Sequence, residues 1–121
     1  MDLRNVVVAI SGASGSIYGI RVLQMLRQVE DVNSHLVITP SAKSTIGVET
    51  EYSVSEIEEL ADEVHSARDI GASIASGSFK TVGMIVAPCS IKTLSAIANS
   101  FGADLVSRAA DVTLKERRPL V

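Results

Sequence analysis

Short apolar runs alternate along this chain with amphipathic stretches. Asn5 to Ile10 is Val-rich and apolar without alternation, the pattern of a strand buried on both faces. Small residues fill Ser11 to Ser16. From Ile17 to about Val29 the spacing predicts a helix, with Ile17, Ile20, Leu23 and Leu26 close to one face. His35 to Thr39 is a second short apolar strand, closed by Pro40, and a short helix is expected over 41–49. "SVSEIEELADEV" carries a helix start, because Ser53 with Glu56, or Ser55 with Glu58, fits a capping box. "ASIASGSF" is a polar loop. Gly83 to Ala87 is a third buried strand stopped by Pro88, and "SIKTLSAIANS" begins a helix almost at once. A further helix is predicted from Asp104 to about Glu116, with Leu105, Ala109 and Val112 on one face, and "RRPLV" reads as the start of a fourth strand.

This alternation predicts an α/β fold, a parallel sheet with right-handed crossovers covered on both faces. The 121 residues suit one domain, 1–121. With a strand that stops as it begins, the chain is expected to be the front part of something longer.

Composition sharpens the picture. The chain is 46% hydrophobic but only 3% aromatic, so its core must be aliphatic. A net charge of -3 offers no basic face for nucleic acid. The apolar run before Ser11 is too short for a signal peptide or a membrane span, and the single cysteine, Cys89, fits a reducing cytosol. The expected setting is cytoplasmic.

The candidate chemistry lies at two turns. "SGASGS" joins the first strand to a helix, where backbone N–H groups and the helix dipole favour an anion. It is neither G-x-G-x-x-G nor a P-loop, and Thr39-Pro40 stands where a dinucleotide fold would place a ribose-binding acid. A mononucleotide or another single phosphate fits better than a dinucleotide. "APCSIKT" repeats the strand-to-helix turn, with Ser90, Lys92 and Thr93 in its first helical turn. Both turns fall at the C-terminal edge of the sheet, where open α/β folds bind ligands. Ser14 also sits in a near miss of G-x-S-x-G, but only His35 and His65 could serve it as a base. Cys89 is either a small buried hydrophobe or a thiolate favoured by the helix start. Two separated histidines and one cysteine make no metal set. Arg108, Asp111 and Lys115 occupy adjacent helical ridges and read, by spacing alone, as a solvated face.

In this order "ISGASGSIYGIRVL", "VETEYS", "ASGSF", "APCSIKTLSAIA" and "RAADVTLKERRPLV" resemble the UbiX-type flavin prenyltransferases, formerly described as aromatic or phenylacrylic acid decarboxylases. The resemblance implies a three-layer α/β/α, flavodoxin- or Rossmann-like fold. It also implies transfer of a dimethylallyl group from dimethylallyl monophosphate to N5 and C6 of reduced FMN. The prenylated FMN would serve a UbiD-type decarboxylase, and no metal is required. Gly12, Ala13 and Ser14 match the first FMN-binding turn, with Ser14 also near the transferred group. Thr39 stands for a serine that contacts the nucleotide, and Ser90, Ile91, Lys92 and Thr93 match the second FMN turn. Glu49 matches an acid near the reaction centre, and Lys115 a lysine that holds the prenyl phosphate. The family forms homo-oligomers, based on trimers and reaching dodecamers. It continues past "RRPLV" into a part carrying an Arg that contacts FMN, and a Tyr and a basic residue that bind the prenyl phosphate. Impaired FMN binding and no prenyl transfer are therefore expected of 121 residues alone. The alternatives are a direct aromatic acid decarboxylase, an FMN-binding module without turnover and a serine hydrolase.

Overall fold

The computed structural model describes residues 3–121. Strands β1 (Arg4–Ile10), β2 (Val32–Ile38), β3 (Glu63–Ser66) and β4 (Gly83–Val86) form a parallel sheet in the order β3-β2-β1-β4. Leu120 adds a parallel bridge to Met84, so the final "RRPLV" begins a fifth strand beside β4. The helices are α1 (Ser16–Leu26), α2 (Pro40–Glu49), α3 (Val54–Glu58), α4 (Ile91–Ala98) and α5 (Leu105–Lys115).

β1 is central and its pleat divides the core. Val7 and Ala9 point to one face, where they pack with Val37, Met84 and the Leu105, Val106, Ala109 and Ala110 side of α5. Val6, Val8 and Ile10 point to the other, against Ile20 and Leu23 of α1, Ala42 and Ile46 of α2 and Ile57 of α3. A strand apolar at every position is therefore one buried by helices on both sides.

The helix ends follow their capping residues. Thr39 accepts from the Ala42 N–H at the start of α2, with Pro40 in the first turn, where its missing N–H costs nothing. Ser53 and Glu56 form the capping box of α3, as Asp104 and Ser107 do for α5. α3 stops at Glu58, and Glu63–Ser66 is a strand that the sequence pattern did not mark. The segment reads poorly because β3 is an edge strand with an almost wholly exposed "EVHS". Gly47 lies inside α2 with open space where a Cβ would be. Gly47→Ala should therefore raise stability by about 0.5–1 kcal/mol, checked by chemical denaturation.

Candidate functional site

Both strand-to-helix turns lie at the C-terminal edge of the sheet, after β1 and after β4. Ser11 ties them together. Its hydroxyl donates to the Pro88 carbonyl at 2.7 Å and accepts from the Ser90 N–H at 2.7 Å, and its own N–H reaches Pro88 O at 3.1 Å. Ser11 is fully buried. Sequence reasoning missed this clamp; the available signal was a serine ending an otherwise apolar strand.

Two glycines let the elements close in. A Cβ on Gly12 would lie 2.6 Å from Ser41 Cβ, so the first turn rests against the start of α2. A Cβ on Gly19 would lie 2.3 Å from the Ala87 carbonyl oxygen, so α1 presses on the second turn.

A cavity of about 620 Å3 opens beside these turns. Thr39, Pro40 and Ser41 line one wall, Ser90, Lys92, Thr93, Ser95, Ala96 and Asn99 of the α4 segment another, and Phe101, Ala103, Asp104 and Ser107 a third. Ser90 caps α4 by accepting from the Thr93 N–H at 3.1 Å, and its hydroxyl donates to Thr93 Oγ1 at 3.0 Å. The Ile91 and Lys92 N–H groups belong to the first turn of α4, which has no carbonyl partners within its own helix. With the Lys92 ammonium beside them they favour an anion.

The first turn is arranged differently from the expected phosphate cradle. The Gly15 and Ser16 N–H groups at the head of α1 both donate to Glu49 Oε1, each at 3.2 Å. The chain's own carboxylate thus fills the seat that helix geometry offers to an anion. Glu49 lies at the end of α2 and is exposed. The Ser16 N–H bond chiefly, with the Gly15 bond and smaller help from the Ser16 and Ser14 hydroxyls, holds its carboxyl below the ordinary carboxylate value despite some opposing desolvation. Glu49 is accordingly ionised at neutral pH, beside Ser14.

Thr39, Ser90, Lys92 and Thr93 therefore share one cavity. Gly12 backs its Ser41 wall, and Ala13 and Ser14 continue that turn. Ile91 is exposed and absent from the lining. Lys115 stands apart. α5 begins at the cavity with Asp104 and ends near β4's first residues, where Pro119 O accepts from Met84 N–H. Eleven residues at 1.5 Å each put Lys115 roughly 16 Å along that helix.

Two other expectations change. Partial burial pushes the Cys89 thiol up, so a half-buried thiol, not a thiolate, describes it. His35 and His65, distant in sequence, meet across β2 and β3 with Nδ1 and Nε2 2.9 Å apart. They contact each other, and His35 also meets Asn5, Asn33 and Glu63; neither reaches Ser14, which leaves the hydrolase reading without its base. Among the described residues no helix is long and apolar enough to cross a membrane.

A parallel sheet with a cavity at its C-terminal edge, walled by the segments that follow β2 and β4, is the arrangement in which open α/β folds bind ligands. The chain belongs to the Flavoprotein family, whose model matches residues 1–121. It is 57% identical over 119 residues to the flavin prenyltransferase UbiX of Escherichia coli K12, covering 98% of this chain and 63% of that one. With the flavin prenyltransferase UbiX of Thauera aromatica it shares 61% over 116 residues, covering 96% of this chain and 59% of that one. The chain thus spans about three fifths of the length of these relatives. Among solved structures, AnUbiX in complex with FMN and dimethylallyl pyrophosphate superposes with a TM-score of 0.95 at 52% identity, covering 98% of this chain and 62% of that one. A dodecameric FMN-dependent UbiX-like decarboxylase from Escherichia coli O157:H7 gives a TM-score of 0.94 at 48% identity, covering 96% of this chain and 63% of that one. The resemblance and the three-layer α/β/α fold expected from the sequence are borne out.

Proposed function

We propose that the protein is a flavin prenyltransferase whose cavity holds reduced FMN and which transfers a dimethylallyl group from dimethylallyl monophosphate. The observation that carries this reading is the pairing of a largely apolar cavity that bears a few hydroxyls and a helix N-terminus with an ionised carboxylate at the neighbouring turn. The cavity has hydroxyls of Thr39, Ser90 and Thr93 and the α4 N-terminus on its walls, and Glu49 lies next to Ser14 one turn away.

These residues divide the work. The Lys92 ammonium and the Ile91 and Lys92 N–H groups hold the nucleotide phosphate. Thr39 and Thr93 offer hydroxyls to its polar groups. Reduced FMN supplies the nucleophilic N5 and C6 atoms to which the prenyl group is joined. Glu49, kept as a carboxylate by the head of α1, accepts a proton at Oε2 or Oε1 as the new bonds form, and the Ser14 hydroxyl relays it. The departing phosphate requires cations, because monophosphate is a poor leaving group. Lys115 is one such cation, and its position far along α5 fits a role in the site of a neighbouring copy within a homo-oligomer. The product would pass to a UbiD-type decarboxylase in the cytoplasm.

FMN titration followed by flavin fluorescence tests the cavity. Ser90→Ala removes the α4 cap and one hydrogen-bonding group, and should weaken binding by about tenfold while costing about 1 kcal/mol of stability. Unchanged affinity in a folded variant would move the nucleotide elsewhere. A second reading, direct decarboxylation of an aromatic acid, draws on the decarboxylase name carried by the similar dodecameric structure. It predicts release of carbon dioxide without any partner enzyme.

A further inference from the structure

We infer that His35 and His65 form a proton-sharing latch that ties the outer strand β3 to the sheet and opens on acidification. The pair lies on the sheet, outside the cavity lining. His35 is 1% exposed in the middle of β2, and His65 is half-buried on β3. Their ring centroids are 5.2 Å apart, their planes differ by 7°, and Nδ1 of His35 is 2.9 Å from Nε2 of His65. The centroid separation exceeds the nitrogen separation by only one ring's width. Both nitrogens therefore lie on the line between the centroids, and the rings meet edge to edge in one plane.

The hydrogen positions follow from the neighbours. Asn5 Nδ2 donates to the Lys80 carbonyl at 3.1 Å, which turns Asn5 Oδ1 toward His35 Nε2, also at 3.1 Å. The Asn33 Nδ2 also lies 3.2 Å from His35 Nε2, but its two hydrogens go to Glu63 Oε2 at 2.7 Å and Asn5 Oδ1 at 3.2 Å; with these two oxygens as the acceptors facing it, His35 carries its hydrogen on Nε2. Its Nδ1 is the acceptor, and His65 Nε2 is the donor. A proton added to His35 can go only to Nδ1, where two N–H groups would then face each other. Glu63, 3.4 Å from His35 Nε2, and Asp62 favour that charge, while burial first and His65 second oppose it, and burial prevails. The remaining face of His35 meets the edge of Phe79, which offers no charge.

The sign is fixed by this balance. His35 is held below its ordinary value of 6.5, so the unfolded or opened state binds more protons. The latch is fully present above about pH 6.5 and weakens as pH falls below it. β3 pairs with β2 alone, over four residues, and its other ties are the Asp62 bonds to Ser34 and the Asn33 bond to Glu63. Loss of the latch therefore frees a short edge, not the core.

The His35, Glu63 and His65 ligand atoms lie within 4.8 Å of one another, which also raises the question of a metal ion. A divalent ion on both imidazoles would need their lone pairs to converge on a third point at about 2.0–2.1 Å from each. Here the lone-pair directions oppose each other along one line, which suits a shared proton.

The test is nitrogen-detected histidine NMR on the 121-residue chain, with amide exchange of 63–66 measured from pH 8 to pH 5. At pH 8, His35 should be protonated at Nε2 only and His65 at Nε2. Exchange in β3 relative to β1, corrected for intrinsic pH dependence, should accelerate by at least about tenfold at pH 5. His65→Gln can present either its amide N–H to neutral His35 or its amide oxygen to protonated His35, and should keep β3 protected at both pH 8 and pH 5. A β3-to-β1 ratio unchanged between pH 8 and pH 5 in the wild type would overturn the latch. So would ring-nitrogen shifts at both histidines on adding micromolar Zn2+ alone with stronger β3 protection, since that behaviour belongs to a metal site.

Discussion

Glu49→Gln is expected to lower prenyl transfer by about 10²- to 10⁴-fold while leaving FMN affinity within about threefold. Glutamine keeps the size of the side chain and an oxygen for the Gly15 and Ser16 N–H groups, which donate to Oε1 at 3.2 Å each. It cannot take up a proton. Because those N–H bonds hold the carboxyl below its ordinary value of 4.5, the wild-type group is a ready proton acceptor throughout the neutral range. The same bonds predict a stability effect of known sign. The lowered carboxyl contributes stability above its unfolded value and loses it as pH falls through the native one, so the variant should show a shallower acid limb in denaturation. The assay is prenyl transfer in a chain spanning the relatives' full length, with FMN binding measured in parallel. Turnover close to wild type would confine Glu49 to filling the head of α1.

Gly19→Ala is expected to be the most disruptive single methyl in the molecule. Its Cβ would sit 2.3 Å from the Ala87 carbonyl oxygen and 2.7 and 2.9 Å from side-chain carbons of Ile10. A backbone oxygen cannot swing aside as a flexible side chain can, so α1 must move away from the second turn. Overpacking of this kind costs about 1–3 kcal/mol, and the backbone contact puts this case at the upper end. Calorimetry should show the melting temperature about 10 °C lower or more. FMN affinity should fall with it, because Ala87 leads into the Ser90–Thr93 turn. A variant that melts within a degree or two of wild type would show that α1 and the turn are not in close contact. Gly47→Ala, with open space around its Cβ, is the matched control.

The parts of this fold that show in the sequence are those under the strongest burial. β1, β4 and the second half of β2 are apolar runs because helices cover the sheet on both faces, while the Asn33–Ser34–His35 start of β2 carries no such signal, and Thr39, Ser53 and Asp104 mark helix starts because each caps one. β3 escapes because its exposed residues carry no apolar alternation, while Ile57, Leu60, Ala61 and Val64 continue a helix-like spacing past the true end of α3. The two turns were legible from small residues at strand ends, and with them Ser90, Lys92 and Thr93 of the cavity; the wall from Phe101 to Ser107 was not. The occupant of the first turn was not. That Glu49 would reach back to Gly15 and Ser16 depends on the docking of α2 against α1, a tertiary fact with no local signature. The Ser11 clamp and the His35–His65 contact, across 79 and 30 positions, are invisible for the same reason.

The central claim is that the protein joins a dimethylallyl group to reduced FMN. Its most direct test is anaerobic incubation of a chain spanning the relatives' full length with reduced FMN and dimethylallyl monophosphate, followed by mass spectrometry of the released flavin. The account predicts a flavin heavier by one dimethylallyl unit, formed by the wild type and nearly absent with Glu49→Gln. Unmodified FMN recovered from a protein that demonstrably binds it would contradict the account.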